Sequence, residues 1–133
     1  MWPVCWNASI PRMRRSVLIV DDHAGFRNQV RALLVAAGYE VVGEAADGES
    51  GVHATRDLRP DVVLLDVQLP DIKGFEVARR IHEEPDPPAV ILVSSREASD
   101  YGRGVERSGV LGFISKAELS AAALRAVLRG SEP

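Results

Sequence analysis

The sequence predicts an α/β fold, a five-stranded parallel sheet with helices on both faces. Two observations carry this prediction. Short apolar runs alternate with longer segments whose apolar residues recur at helical spacing, in the order βαβαβαβαβα. That alternation specifies parallel strands joined by right-handed crossovers. The clearest run, Val62-Val63-Leu64-Leu65, is continuously apolar, as in a strand buried on both faces, and it stops on Asp66. By analogy with doubly wound sheets, the strand order is 2-1-3-4-5, with a topological switch point between strands one and three.

The elements follow in order. Ser16 to Val20 is a short apolar strand that ends on Asp21-Asp22. Ala24 to Ala37 carries Phe26, Val30, Leu33 and Leu34 on one helical face, and Gly38 stops it. Tyr39 to Ala46 is the second strand, and Asp47-Gly48 signals a turn. Glu49 to Leu58 reads as a helix, broken by Arg59-Pro60-Asp61. After the Val62–Asp66 run, Gln68 to Gly74 is a loop, and Phe75 to His82 a third helix. Glu83 to Pro88 is an acidic, proline-rich connection. Ala89 to Val93 is a buried strand ending on Ser94-Ser95. Ala98 to Ser108 is a weak helix, interrupted by Gly102 and Gly104. Gly112 to Ser115 is the last strand, ending on Lys116, and Leu119 to Arg129 the last helix. Residues 1–15, with both tryptophans and no period, are expected to form a poorly ordered arm. The domain is expected over residues 16–130, with a tail at 131–133.

Composition narrows the function classes. A length of 133 residues suits one domain with a proper core. A net charge of −3 gives no basic surface for nucleic acid, and no apolar run has the length of a membrane span. Cys5 is the sole cysteine, which excludes an internal disulfide and a cysteine metal cluster and fits a cytoplasmic setting. The N-terminal apolar residues precede the arginines, the wrong order for a secretory signal. Of sixteen lysine and arginine residues only Lys73 and Lys116 are lysines, so Lys116 at a strand end stands out.

Parallel strands end on one rim, where open α/β sheets bind ligands. Asp66 is expected where its strand opens to water, because an acid deep in a strand is costly. Asp21, Asp22 and Asp66 then converge at the switch point. Three carboxylates repel and call for a cation. An all-oxygen set with room for waters suits Mg²⁺ better than zinc. Lys116 adds a point charge and Ser94 a hydroxyl, and together they can hold phosphoryl oxygens while Asp66 attacks. No general base is needed for a carboxylate nucleophile.

These residues resemble the receiver domains of bacterial two-component response regulators. The resemblance runs from about Arg14 to Arg129. It rests on Asp21-Asp22, on Asp66 with the following Pro70 and Gly74, on Ser94-Ser95, and on Gly112-Phe113-Ile114-Ser115-Lys116. It implies a flavodoxin-like three-layer sandwich and an aspartyl phosphate on Asp66. It makes Asp22 a direct Mg²⁺ ligand, Asp21 a water-mediated one, and the Gln68 backbone carbonyl a third protein ligand. Ser94 and Phe113 take the switch positions, and Lys116 that of the phosphate-binding lysine. The implied phosphodonor is a sensor histidine kinase. The implied output is a downstream protein or an attached domain, with a monomer or phosphorylation-dependent homodimer as the oligomeric state. Ala117 stands where many receivers have proline, as in the subfamily joined to a helix-turn-helix output domain. In that subfamily, linker and DNA-binding domain begin where this sequence reaches Pro133.

Two rival readings have different signatures. A Mg²⁺-dependent phosphatase using Asp66 as nucleophile needs a second acid close behind it, and the residue there is Gln68. An inert pseudo-receiver loses acidic-pair, acceptor or lysine residues, and none is lost here. Asp21-Asp22 can also cap the first helix. His23 reads as a surface histidine, since Mg²⁺ prefers oxygen, and Lys73 as a solvated loop residue. Gly74 marks a backbone turn. Gln68 and Arg96 are expected to flank the path of the water that removes the phosphoryl group.

Overall fold

A computed structural model describes residues 15–95 and 109–129. The helix expected over Ala98 to Ser108, Arg96, the tail, and the arm apart from Arg15 lie outside the described residues. The described elements are β1 Ser16–Val20, α1 Ala24–Ala36, β2 Glu40–Ala45, α2 Gly48–Leu58 and β3 Val62–Asp66. They continue with α3 Gly74–His82, β4 Ala89–Ser94, β5 Gly112–Ser115, a 3₁₀ turn Lys116–Glu118, and α4 Ala121–Arg129.

The sheet is parallel throughout, in the order β2-β1-β3-β4-β5 that the sequence predicts. Its registers bring the strand ends level: Val20 lies beside Leu65, Asp66 beside Val93, and Ser94 beside Ser115. Alternate residues of the central strands feed two cores. Leu18, Val20, Val63, Leu65 and Leu92 pack with Val52 of α2 and with Val77 and Ile81 of α3. Val17, Ile19, Leu64, Ile91 and Val93 pack on the other face with Val30 and Leu34 of α1 and with Leu124 and Leu128 of α4. Both faces of the sheet are therefore covered, which explains the continuous rather than alternating apolar runs.

Local chemistry sets the helix ends. Gly38 adopts φ +94° just past α1. Its N–H donates to the Val35 carbonyl (3.1 Å), and that of Tyr39 to Leu34 (2.9 Å). This is a Schellman motif, and a side chain at residue 38 is strained there. Asp47 caps α2, accepting from the Ser50 N–H at 2.8 Å, so it is a helix cap as well as a turn. The last helix begins later than Leu119. Lys116–Glu118 forms its own 3₁₀ turn, and the Ser120 hydroxyl accepts from the Ala123 N–H (3.0 Å).

The loop after β3 is tied down at two points. The Asp71 carboxylate accepts from both Gly48 N–H (2.8 Å) and Glu49 N–H (2.9 Å), capping α2 from outside its own chain segment. The Glu49 N–H, then the Gly48 N–H, hold the Asp71 carboxyl below its usual range. Gly74 donates its N–H to the Val67 carbonyl at 2.7 Å. A Cβ on residue 74 would run into the Asp66 carbonyl oxygen and come within 2.7 Å of Val67 Cα. The requirement for glycine is thus the close approach of two backbones, more than the turn the sequence suggests. Gly74→Ala is expected to lower stability by about 2 kcal/mol or more, because backbone rather than a flexible side chain must move. Urea unfolding checks this, and a variant within about 0.5 kcal/mol of the parent contradicts it.

Candidate functional site

Each functional side chain sits at the carboxyl end of a strand or one step beyond it. Asp21 follows β1, its N–H bonded to the Ala45 carbonyl at 3.0 Å, and its side chain is 2% exposed. Asp66 ends β3 and is 4% exposed. It lies at the strand end as expected, yet it is covered rather than open to water. Asp22, 34% exposed, is the acid of the three that faces solvent. Lys116 leaves β5 on the 3₁₀ turn. Its Nζ stands 2.8 Å from Asp21 Oδ2 and 3.7 Å from Asp66 Oδ2, and 4.2 Å above the Phe26 ring centroid. An aromatic face and two carboxylates thus fix where the ammonium points.

The acidic pair does not cap α1. His23 occupies the N-cap position with no side-chain cap bond, and Asp21 Oδ1 instead accepts from the His23 N–H at 2.8 Å. The Gln68 N–H donates to Asp66 Oδ1 at 3.2 Å, while the Gln68 side chain is exposed. Ser94 is buried at the end of β4, and half-buried Phe113 packs against the core on the α2–α3 face. Lys73 is exposed.

Two contributors have no sequence signature of their own. Arg27 donates from Nη1 to the Asp21 carbonyl (2.7 Å) and from Nε to Glu44 Oε1 (2.9 Å), tying the acidic turn to β2. Phe26 reads as core but forms the floor under Lys116. Helical spacing shows that both can face inward, and not that they meet the acidic corner.

Burial, then the Asp21 charge, raises the Asp66 carboxyl to about 6, against an ordinary 3.8; Lys116 opposes the shift. Among the described residues, Lys116 is the ammonium at a corner that holds three carboxylates, which leaves room for a further positive charge. Ligand atoms of Asp21, Asp22, His23 and Asp66 all lie within 4.8 Å of one another. The carboxylate oxygens among them fit a hard divalent cation such as Mg²⁺. A groove of about 510 Å³ at the other end of the sheet, between Arg59, Pro60, Asp61 and Pro87, shares no residue with this corner.

Residues 17–129 match the response regulator receiver domain family. The chain belongs to that family. This receiver is 36% identical over 106 residues to the transcription regulator of virulence factors BvgA of Bordetella pertussis, covering 80% of this chain and 51% of BvgA. The receiver therefore spans about half the length of that relative. Among solved structures, it resembles a LuxR-family two-component response regulator from Aurantimonas, with TM-score 0.80 and 30% identity. That match covers 88% of this chain and 86% of the other. It also resembles the CheX–CheY–BeF3–Mg²⁺ complex of Borrelia burgdorferi, with TM-score 0.78, 26% identity, and 94% and 92% of the two chains covered. Residues 17–129 are thus a receiver domain of two-component response regulators. Among the described residues, no helix is long and apolar enough to cross a membrane.

A raised Asp66 carboxyl makes stability fall as pH rises. Between 3.8, where the unfolded chain loses this proton, and about 6, where the fold does, the folded state holds more protons. Without divalent ions, Asp66→Asn is expected to stabilise the receiver at pH 7.5 by about 2 kcal/mol, the gain vanishing toward pH 4. Asparagine keeps the acceptor for the Gln68 N–H. Urea unfolding in chelator at several pH values checks this, and a pH-independent difference contradicts it.

Proposed function

We propose that this receiver takes a phosphoryl group onto Asp66 from a phosphohistidine of a sensor kinase, and releases it by its own slow hydrolysis. One observation carries the reading: Asp21, Asp22, Asp66 and Lys116, far apart in sequence, meet at one corner of the sheet. An Asp66 carboxylate oxygen attacks phosphorus, and the phosphorus–nitrogen bond of the donor breaks with its electron pair going to the imidazole. Lys116 is placed to move from the carboxylates to a phosphoryl oxygen, and its Phe26 floor keeps the ammonium within reach. The Ser94 hydroxyl, buried at the end of β4, would donate to the same group.

Asp22 would hold Mg²⁺ directly, Asp21 through water, with Asp66 and the Gln68 carbonyl completing the protein ligands. The bound ion supplies positive charge that offsets the three carboxylates and the incoming phosphoryl oxygens. Asp22, exposed on the solvent side, suits an ion that keeps several waters, and buried Asp21 already holds Lys116.

Ser94 and Phe113 act as the switch pair, the hydroxyl drawn to the phosphoryl group and the ring following it inward. The output is altered binding to a downstream protein or to an attached DNA-binding domain, as a monomer or as a phosphorylation-dependent homodimer in the cytoplasm. The BvgA match, in which this receiver spans about half the relative's length, supports the attached-domain form. We take residues 16–130 as the functional domain and residues 1–15 as an arm.

Intact mass after incubation with acetyl phosphate and Mg²⁺ tests the chemistry. The expected result is one added phosphoryl group, absent in Asp66→Ala and absent with chelator. If the parent gains nothing and also fails to bind beryllofluoride with Mg²⁺, the reading is overturned in favour of an inert interaction module.

A further inference from the structure

We propose that His23 is a nitrogen ligand of the cation site and gives this receiver a preference for divalent first-row transition ions over Mg²⁺. The inference rests on reading the acidic corner as a cation site and adds a donor to it. His23 Nδ1 lies 3.3 Å from Asp21 Oδ1 and 3.1 Å from Asp22 Oδ1. In an octahedral shell with bonds of about 2.1 Å, neighbouring ligand atoms stand about 3.0 Å apart. The separation of His23 Nδ1 from the oxygen of Asp22, the direct ligand, is therefore close to that of neighbouring ligands of one ion.

The backbone holds the ring in that place. The His23 N–H donates to Asp21 Oδ1 at 2.8 Å, which fixes the root of the side chain against the carboxylate it would share an ion with. At 68% exposure the ring is not part of the core, so turning Nδ1 onto an ion breaks no packing. Neutral imidazole is a good donor to nickel, zinc and iron and a poor one to Mg²⁺, which dehydrates reluctantly and selects oxygen. Adding one nitrogen to a carboxylate set therefore raises affinity unequally across the divalent ions. A protonated ring would also sit between two carboxylates, so the deciding readout must detect the metal–nitrogen bond itself.

The experiment uses the full untagged chain at pH 7.5, comparing the parent with His23→Ala, His23→Asn and Asp22→Ala. Calorimetric titrations with Ni²⁺ and with Mg²⁺ give the affinities, and pulsed electron paramagnetic resonance of bound Mn²⁺ reports nitrogen coupling. The expected result is a loss of about tenfold in Ni²⁺ affinity in both His23 variants, with Mg²⁺ affinity moving less than about twofold. Imidazole nitrogen coupling to Mn²⁺ is expected in the parent and not in those variants. The asparagine variant offers a helix N-cap side chain and the alanine variant does not, so a common result in both excludes a folding defect. If Asp22→Ala abolishes binding while both His23 variants bind Ni²⁺ like the parent without nitrogen coupling, the His23 inference is overturned and the cation site stands. If binding of neither ion depends on Asp22, both are overturned.

Discussion

The crowding of negative charge at the carboxyl ends of β1 and β3 is the constraint on which the rest of this structure depends. Asp21 and Asp66 are nearly inaccessible, and Asp22 stands beside them. Lys116 is the lysine that meets them. Burying like charges together is unfavourable, and the raised Asp66 carboxyl is the direct expression of that. The neighbourhood is built to tolerate it. Phe26 supports the ammonium, Arg27 grips the Asp21 backbone, and the Gln68 N–H reaches the Asp66 carboxylate. A corner short of positive charge attracts a divalent cation and is suited to receiving a group that arrives with one.

The same corner is joined mechanically to the framework. The loop after Asp66 is pinned to α2 by Asp71 and to its own strand by the Gly74–Val67 hydrogen bond. Movement of the Asp66 backbone is therefore opposed on that side. On the other side stand Ser94, the last residue of β4, and Phe113, the second residue of β5 and register partner of Leu92. The β3–α3 side of Asp66 is thus tied by hydrogen bonds, whereas a hydroxyl and a ring stand on its β4–β5 side. The family membership gives this asymmetry its meaning, since a receiver must convert a local chemical event into a change of surface.

Much of the architecture could be read from apolar periodicity. Continuous runs marked strands buried on both faces, and Val62–Asp66 and Ser16–Val20 have the bounds the sequence indicates. Helix ends were less legible wherever a residue distant in sequence sets them. The start of α2 depends partly on Asp71, more than twenty positions away, and α4 starts after a separate 3₁₀ turn that its alanine- and leucine-rich composition does not reveal. Gly74 was visible as punctuation, but its reason is the Asp66 and Val67 backbone beside it.

By itself, the sequence determined the fold class, the strand order by analogy, and the identities of the acids, lysine and hydroxyl at the strand ends. Those depend on residue type and local period, which a single chain displays in full. The tertiary structure alone decided how these groups meet. It covers Asp66 where the sequence suggested an open strand end, gives Lys116 first to Asp21, and leaves α1 uncapped by the acidic pair. It also sets His23 between two carboxylates. Burial and partner choice are properties of three-dimensional neighbours, and electrostatic energy depends on distance and on excluded water rather than on position along the chain.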